Sequence, residues 1–218
     1  MSTVLTGPNF GPAAGGAPNQ LIILLHGLGA DGHDLIGLAP HLAELLPHAQ
    51  FVAPDAPFPC DMAPMGRQWF SVGDRSPKRL LAGVEATAPI LDEFIDSEFA
   101  RTKLGPLKTA VVGFSQGTMM ALHVALRRAE PVAAIVGFSG RLMAPGQLAA
   151  DIRASPPTLL IHGDADPVVP FESLATAGDA LEMVGVPVQT IARPALGHAI
   201  DEHGLTCGGA FLKEHLGD

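Results

Sequence analysis

Apolar positions along this chain follow two rhythms that take turns. Short continuous runs, such as Gln20 to Leu25 (QLIILL) and Thr109 to Val112 (TAVV), have the length and composition of strands buried on both faces of a parallel sheet. Between such runs the apolar positions fall at helical intervals. Arg79 to Ala100 shows it best, with Leu80, Val84, Ile90, Leu91, Phe94 and Ile95 on one face and Pro89 predicting a kink. The pattern predicts strands at 20–25, 50–53, from 109, 133–138, 158–161 and 186–192. Helices are predicted over about 34–46, 79–100, 118–126 and 171–184, with a last one ending near Leu216. That last helix carries Gly204, Gly208 and Gly209, poor helix formers that predict an interruption. Residues 1–19, rich in Gly, Pro, Ala and Asn, read as a loose arm with room for one short edge strand. Alternating strands and helices indicate an α/β fold, a mostly parallel sheet covered by helices on both faces, in a single domain over residues 1–218.

Two stretches break the rhythm. Pro54 to Pro77 is a long proline-rich segment holding the only tryptophan; its apolar Met62, Met65, Trp69 and Phe70 predict a loop that folds over the sheet edge and lines a pocket. Ser139 to Pro157 is too short for a covering domain, so no lid is expected and the mouth of any site there should be open.

The run from Thr109 ends in Gly113-Phe-Ser115-Gln-Gly117, and a helical pattern starts at once. Strand, sharp turn and helix around G-x-S-x-G form a nucleophile elbow, in which glycines leave room for the helix to cross back over its strand while the serine hydroxyl is held clear. A serine keeps its proton near neutral pH and needs a base, which in turn needs an orienting carboxylate. In a parallel sheet the loops after successive strands share one edge, so Ser115, the Asp164/Asp166 pair and His198 can meet there, in the chain order Ser, Asp, His. Asp166 is preferred to Asp164 because Pro167-Val-Val-Pro170 gives it a rigid turn. Of the nine histidines, His33, His41, His48, His203 and His215 lie in or beside helices, His123 sits on the elbow helix, and His26 and His162 end strands next to glycine, where they fix loop geometry. The N–H groups of Gln116 and of Leu28, in the glycine-rich loop 26–32, can converge on a developing oxyanion.

Composition narrows the partners. A net charge of −9 with 13 basic residues and no basic-aromatic cluster argues against nucleic acid and against an electrostatic hold on anionic membranes. No apolar run approaches membrane-span length, and the first twenty residues lack a basic start and an apolar core. Cys60 and Cys207, outside any ligand spacing, read as reduced thiols of a cytoplasmic protein. Neither metal nor cofactor is expected. One rival stands: Gly27, Gly29 and Gly32 spell G-x-G-x-x-G between strand and helix, with Asp55 at the distance of a ribose-binding acid.

Taken together, His26-Gly-Leu-Gly-Ala-Asp-Gly32, Trp69-Phe70, Gly113-Phe-Ser-Gln-Gly117, His162-Gly-Asp-Ala-Asp-Pro-Val-Val-Pro170 and Gly197-His198 resemble the phospholipase/carboxylesterase family, which includes small bacterial carboxylesterases and acyl-protein thioesterases. The resemblance implies an α/β-hydrolase fold and hydrolysis of carboxylic esters, or of thioesters, through an acyl-enzyme; the apolar surface of the Trp69-Phe70 loop and the lack of room for a lid domain point to short- to medium-chain acyl groups. The resemblance also implies Ser115 as nucleophile, Asp166 and His198 as its partners, Leu28 and Gln116 as oxyanion donors, and Trp69 near the acyl groove. Phe70, Met65 and Val169 complete the expected substrate contacts, and a homodimer is implied as well. Thr118 departs from the family's usual glycine and predicts a narrower floor. The alternative reading is a non-catalytic ligand-binding protein on the same scaffold.

Overall fold

The computed structural model describes residues 4–217. In chain order it forms β1 (Asn9–Phe10), β2 (Gln20–Leu25), α1 (Gly32–Leu35), α2 (Ala39–Ala43), β3 (Ala49–Val52), β4 (Phe58–Pro59), β5 (Arg67–Gln68) and α3 (Pro77–Thr102). There follow β6 (Thr109–Phe114), α4 (Gln116–Ala125), β7 (Ala134–Phe138), α5 (Leu148–Asp151), β8 (Thr158–Gly163), α6 (Glu172–Met183), β9 (Val188–Arg193) and α7 (Glu202–Leu216). The central sheet runs β1-β3-β2-β6-β7-β8-β9, parallel throughout except for β1, which pairs antiparallel with β3.

The continuous apolar run of β2 is explained by two cores. Leu21, Ile23 and Leu25 point to a cluster that includes Leu80 and Val84 of α3, Met120 of α4 and Leu174 of α6. Ile22 and Leu24 point the other way, to Leu35, Leu42, Phe211 and Leu212 from α1, α2 and α7. Burying each such side chain contributes about 1.5–3 kcal/mol, so neither face can be polar.

Four features stand apart from the sequence pattern by more than a residue or two at an element's end, or bear on how the chain packs. The helix expected over 34–46 is divided by a 3-10 turn at Ile36–Leu38, because Pro40 starts a new first turn, where its missing N–H costs nothing. β9 begins after Pro187, whose carbonyl takes the Thr158 N–H. The arm is tied down from Leu5 onward: Leu5 is buried, and the Ala53 and Asp55 N–H groups donate to Pro8 O and Thr6 O at 3.0 and 2.8 Å. Residues 1–3 of the arm lie outside the described residues. Finally, α7 is continuous through its glycines. A Cβ on Gly208 would come 3.2 Å from Phe138 and one on Gly209 2.9 Å from Leu45, so these glycines cost helix propensity but let α7 lie close against β7 and the residues after α2.

α4 is buried along its whole length. His123 on it has a buried Nδ1 without a hydrogen-bond partner, and burial, helped by the Arg127 charge, pushes its pKa down from 6.5 to about 4. The unfolded chain therefore takes up a proton between pH 6.5 and 4 that the folded chain refuses. Stability conferred by the neutral imidazole is complete above pH 6.5 and falls by roughly 3 kcal/mol on descending to pH 4. His123→Leu is expected to flatten this part of the pH–stability curve in urea titrations. Part of the slope persists, because His26, also held neutral by burial, acts in the same direction.

Candidate active site

The order of strands locates the site. The chain leaves β2 toward β3 on one side and leaves β6 toward β7 on the other, so the loops after these adjacent strands diverge and open a crevice at their carboxyl ends. Leu28 follows β2 and Ser115 follows β6. Ser115 has φ 53° and ψ −112°, a left-handed conformation unfavourable for any side chain. Its N–H donates to Phe138 O at 2.8 Å, which fixes the turn to β7. The flanking glycines are obligatory: a Cβ on Gly117 would stand 1.9 Å from Leu25 O, and one on Gly113 2.5 Å from Gly117 C.

Three of the expected residues meet at this edge. His198 Nε2 lies 3.0 Å from Ser115 Oγ, and His198 Nδ1 lies 2.7 Å from Asp166 Oδ2. The Asp166 side chain is fully buried. Its Oδ1 accepts the N–H groups of Val168 and Val169 at 2.8 and 2.9 Å, the geometry supplied by the Pro167-Val-Val turn. Burial alone would raise the Asp166 pKa, but hydrogen bonds from His198 and these two amides outweigh it and hold the carboxyl below its ordinary value. Asp164 is turned elsewhere: Oδ1 accepts the Ala195 N–H at 2.7 Å and thereby pins the loop that carries His198.

His162 fixes loop geometry, as its place at a strand end beside glycine predicts. Its Nε2 lies 3.0 Å from Val169 O and 3.2 Å from Asp166 Oδ2. Both neighbours are acceptors, so the proton belongs on Nε2, and the imidazole buttresses both the carboxylate and its turn. His26 does a similar service in the first loop. Nδ1 is 2.7 Å from Gly27 O while Nε2 accepts the Ala56 N–H at 3.0 Å, which fixes the neutral tautomer protonated on Nδ1.

The N–H groups of Leu28 and Gln116 have no backbone acceptor among the described residues, and both residues line the cavity that holds Ser115. The Gln116 side chain clamps the long loop: Oε1 accepts the Trp69 N–H at 2.8 Å and Nε2 donates to Phe70 O at 2.7 Å. Side-chain identity at this position therefore matters, contrary to what the role of its backbone alone would suggest. The dinucleotide reading of loop 27–32 fails on Asp55, whose Oδ1 accepts the Gly32 N–H at 2.8 Å and so closes the loop on itself. Gly32 also lies against the backbone, since a Cβ there would come 2.1 Å from Ala53 O, in a place a pyrophosphate would need.

The cavity beside Ser115 holds about 170 Å³ and is walled by Leu28, Phe70, Met119, Val168, Val169 and Pro170. Phe70 and Val169 are thus where the sequence puts them. Trp69 is not on the wall: it is fully buried behind it, and its indole N–H donates to His26 O at 2.9 Å. Met65 is 80% exposed and also off the wall, because the β4–β5 turn carries it out to solvent. Thr118 does not narrow the floor. Its hydroxyl lies 2.8 Å from Gly113 O and 2.9 Å from Phe138 O, under β7, in space left by Gly137 and Gly140. Arg75 and Arg141 line the cavity without having been anticipated. The available signal was the place of Ser139-Gly-Arg141 directly after β7, at the same sheet edge as the other loops.

A family model described as Phospholipase/Carboxylesterase matches residues 13–216. Esterase YpfH of Escherichia coli is 32% identical over 90% of this chain and 82% of its own length. Acyl-protein thioesterase 1 of Gibberella zeae is 26% identical over 99% of this chain and 98% of its own. Among solved structures, that of esterase PE8 superposes with a TM-score of 0.93 at 44% identity, covering 98% of this chain and all of the other. Among the described residues no helix is long and apolar enough to cross a membrane.

Proposed function

We propose, from the premise that this chain belongs to the phospholipase/carboxylesterase family and is a carboxylesterase with the α/β-hydrolase fold, that Ser115 is its nucleophile, His198 its base and Asp166 the carboxylate that orients the base. The observation that carries this reading is the unbroken line Ser115 Oγ, His198 Nε2, His198 Nδ1, Asp166 Oδ2, with links of 3.0 and 2.7 Å. Asp166 accepts from Nδ1, which leaves Nε2 free to take the serine proton. Ser115 then attacks the ester carbonyl, and the N–H groups of Leu28 and Gln116 receive the oxyanion. His198 returns the proton to the departing alcohol, and water activated by the same imidazole releases the acid.

The substrate is an ester of a short- to medium-chain acid. The apolar wall built by Phe70, Met119 and Val169 supports this, as does a volume near 170 Å³. Thioesters are included by the likeness to acyl-protein thioesterase 1. Free Cys60 and Cys207 support a cytoplasmic location, and assembly into a homodimer rests on the family resemblance.

A fluorophosphonate, which traps activated serines, is expected to add to Ser115 alone, with labelling lost in His198→Ala; peptide mass spectrometry locates the adduct. A well-folded protein that takes no label would leave the scaffold as a binding protein and end the catalytic assignment.

A further inference from the structure

Apart from Gln116, the residues that line the cavity beside Ser115 are apolar except for Arg75 and Arg141. Arg79, Arg101, Arg127, Arg128 and Arg193 all pair with carboxylates. Among the described residues Arg67, Arg75, Arg141 and Arg153 enter no ion pair, although acidic residues outnumber basic ones 22 to 13 in this chain; Arg67 donates instead to Ala56 O and Pro57 O, and of the four Arg75 and Arg141 line this cavity. Arg141 is half-buried, and its buried Nε has no hydrogen-bond partner. A guanidinium cannot shed its proton to escape such a place, so the fold bears the cost of an unpaired, partly desolvated cation next to the nucleophile. That cost is recovered when an anion arrives.

The side of the reaction can be assigned as well. On the mechanism proposed above, the leaving alcohol departs toward His198, which must hand it a proton. His198 does not line this cavity, whereas Leu28, Ser115 and Gln116 do. The cavity therefore receives the acyl chain, and its 170 Å³ is room for about six water-sized groups.

We infer that the preferred acyl group ends in a carboxylate held by Arg141, with Arg75 beside it, so that the substrates are half-esters of short dicarboxylic acids. This rests on the carboxylesterase reading and narrows it. The reaction remains plain hydrolysis: water replaces the alcohol at the acyl carbon, and a dicarboxylate, an alcohol and one proton are released with no change of oxidation state.

The test compares monoethyl glutarate with ethyl pentanoate, matched in acyl length, by titrating released acid. In Arg141→Gln the ratio of kcat/KM for the anionic over the neutral ester is expected to fall about 10- to 100-fold, mostly through KM, as loss of a charge-assisted hydrogen bond implies. Arg141→Lys should recover part of the ratio, and Arg75→Gln should lower it a few-fold. In the wild type, 0.5 M salt should lower kcat/KM for the half-ester and spare the neutral ester; should Arg141→Gln not fold, this titration and the lysine variant decide the matter. An unchanged ratio in folded Arg141→Gln would overturn the proposal, and so would equal losses on both esters, the mark of a packing residue. Carboxymethyl pentanoate carries the anion on the alcohol side. Dependence on Arg141 for that ester instead of the half-ester would overturn the acyl assignment. Failure of the underlying carboxylesterase reading would look different, with neither ester turned over by wild type and Ser115 unlabelled, and would remove both.

Discussion

Ser115→Ala is expected to lower kcat for ester hydrolysis by about five to six orders of magnitude while leaving the melting temperature within a few degrees of wild type. The size follows from the site acting as one unit: without Oγ, the His198 and Asp166 pair has no proton to take, and only the oxyanion N–H groups and the acyl cavity remain to favour the reaction. The small effect on stability follows from the backbone. Ser115 sits at φ 53°, and alanine is no better suited to that region than serine, so the strain stays. Ser115→Gly should relieve it and raise stability, with the same loss of activity. That pair of variants separates chemistry from folding, by initial rates on ethyl pentanoate and by thermal melts. A Ser115→Ala protein that keeps a tenth of its rate would mean that another group attacks the ester.

What made the places of Ser115 and Asp166 legible is that each is set by local covalent geometry, whereas His198 is reached only by setting aside the other eight histidines. Gly113 and Gly117 are demanded by contacts of 2.5 and 1.9 Å that no side chain could survive, and Pro167 sets the turn that brings two amides onto Asp166. Such constraints leave a mark at fixed spacing. The parts that were missed depend on contacts across the chain. Gln116 reaches back 47 residues to the Trp69 amide, and nothing near either residue announces the bond. The family resemblance puts Trp69 near the acyl groove, but its indole N–H donates to the His26 carbonyl and the ring lies in the core. Met65 went outward because a two-residue ladder, Phe58 with Gln68 and Pro59 with Arg67, turns the loop there. The glycines of α7 illustrate the converse. Propensity argued for a break, and packing against Phe138 and Leu45 overrode it.

Asp166→Asn is expected to lower kcat by about 10⁴-fold, and the reason lies in the direction of four hydrogen bonds. Oδ1 faces two donors, the Val168 and Val169 amides, and only the oxygen of an asparagine can stay there. The amide nitrogen must then take the place of Oδ2, which faces His198 Nδ1 at 2.7 Å and the His162 Nε2 proton at 3.2 Å. Two donors cannot share that contact, so His198 adopts the other tautomer, with Nδ1 accepting and Nε2 protonated. An imidazole of that form presents a proton to Ser115 instead of accepting one. His162 keeps its bond to Val169 O, so the turn survives and the variant should fold. Fluorophosphonate labelling of Ser115 should slow in step with kcat, because both need the same base. Asp164→Asn is the control. Its side-chain oxygen can still accept the Ala195 N–H, so activity should stay within about tenfold of wild type. Equal losses in the two variants would move the orienting role away from Asp166. A large loss in Asp166→Asn alone would show that one wrongly placed proton, with every heavy atom in position, is enough to silence the serine.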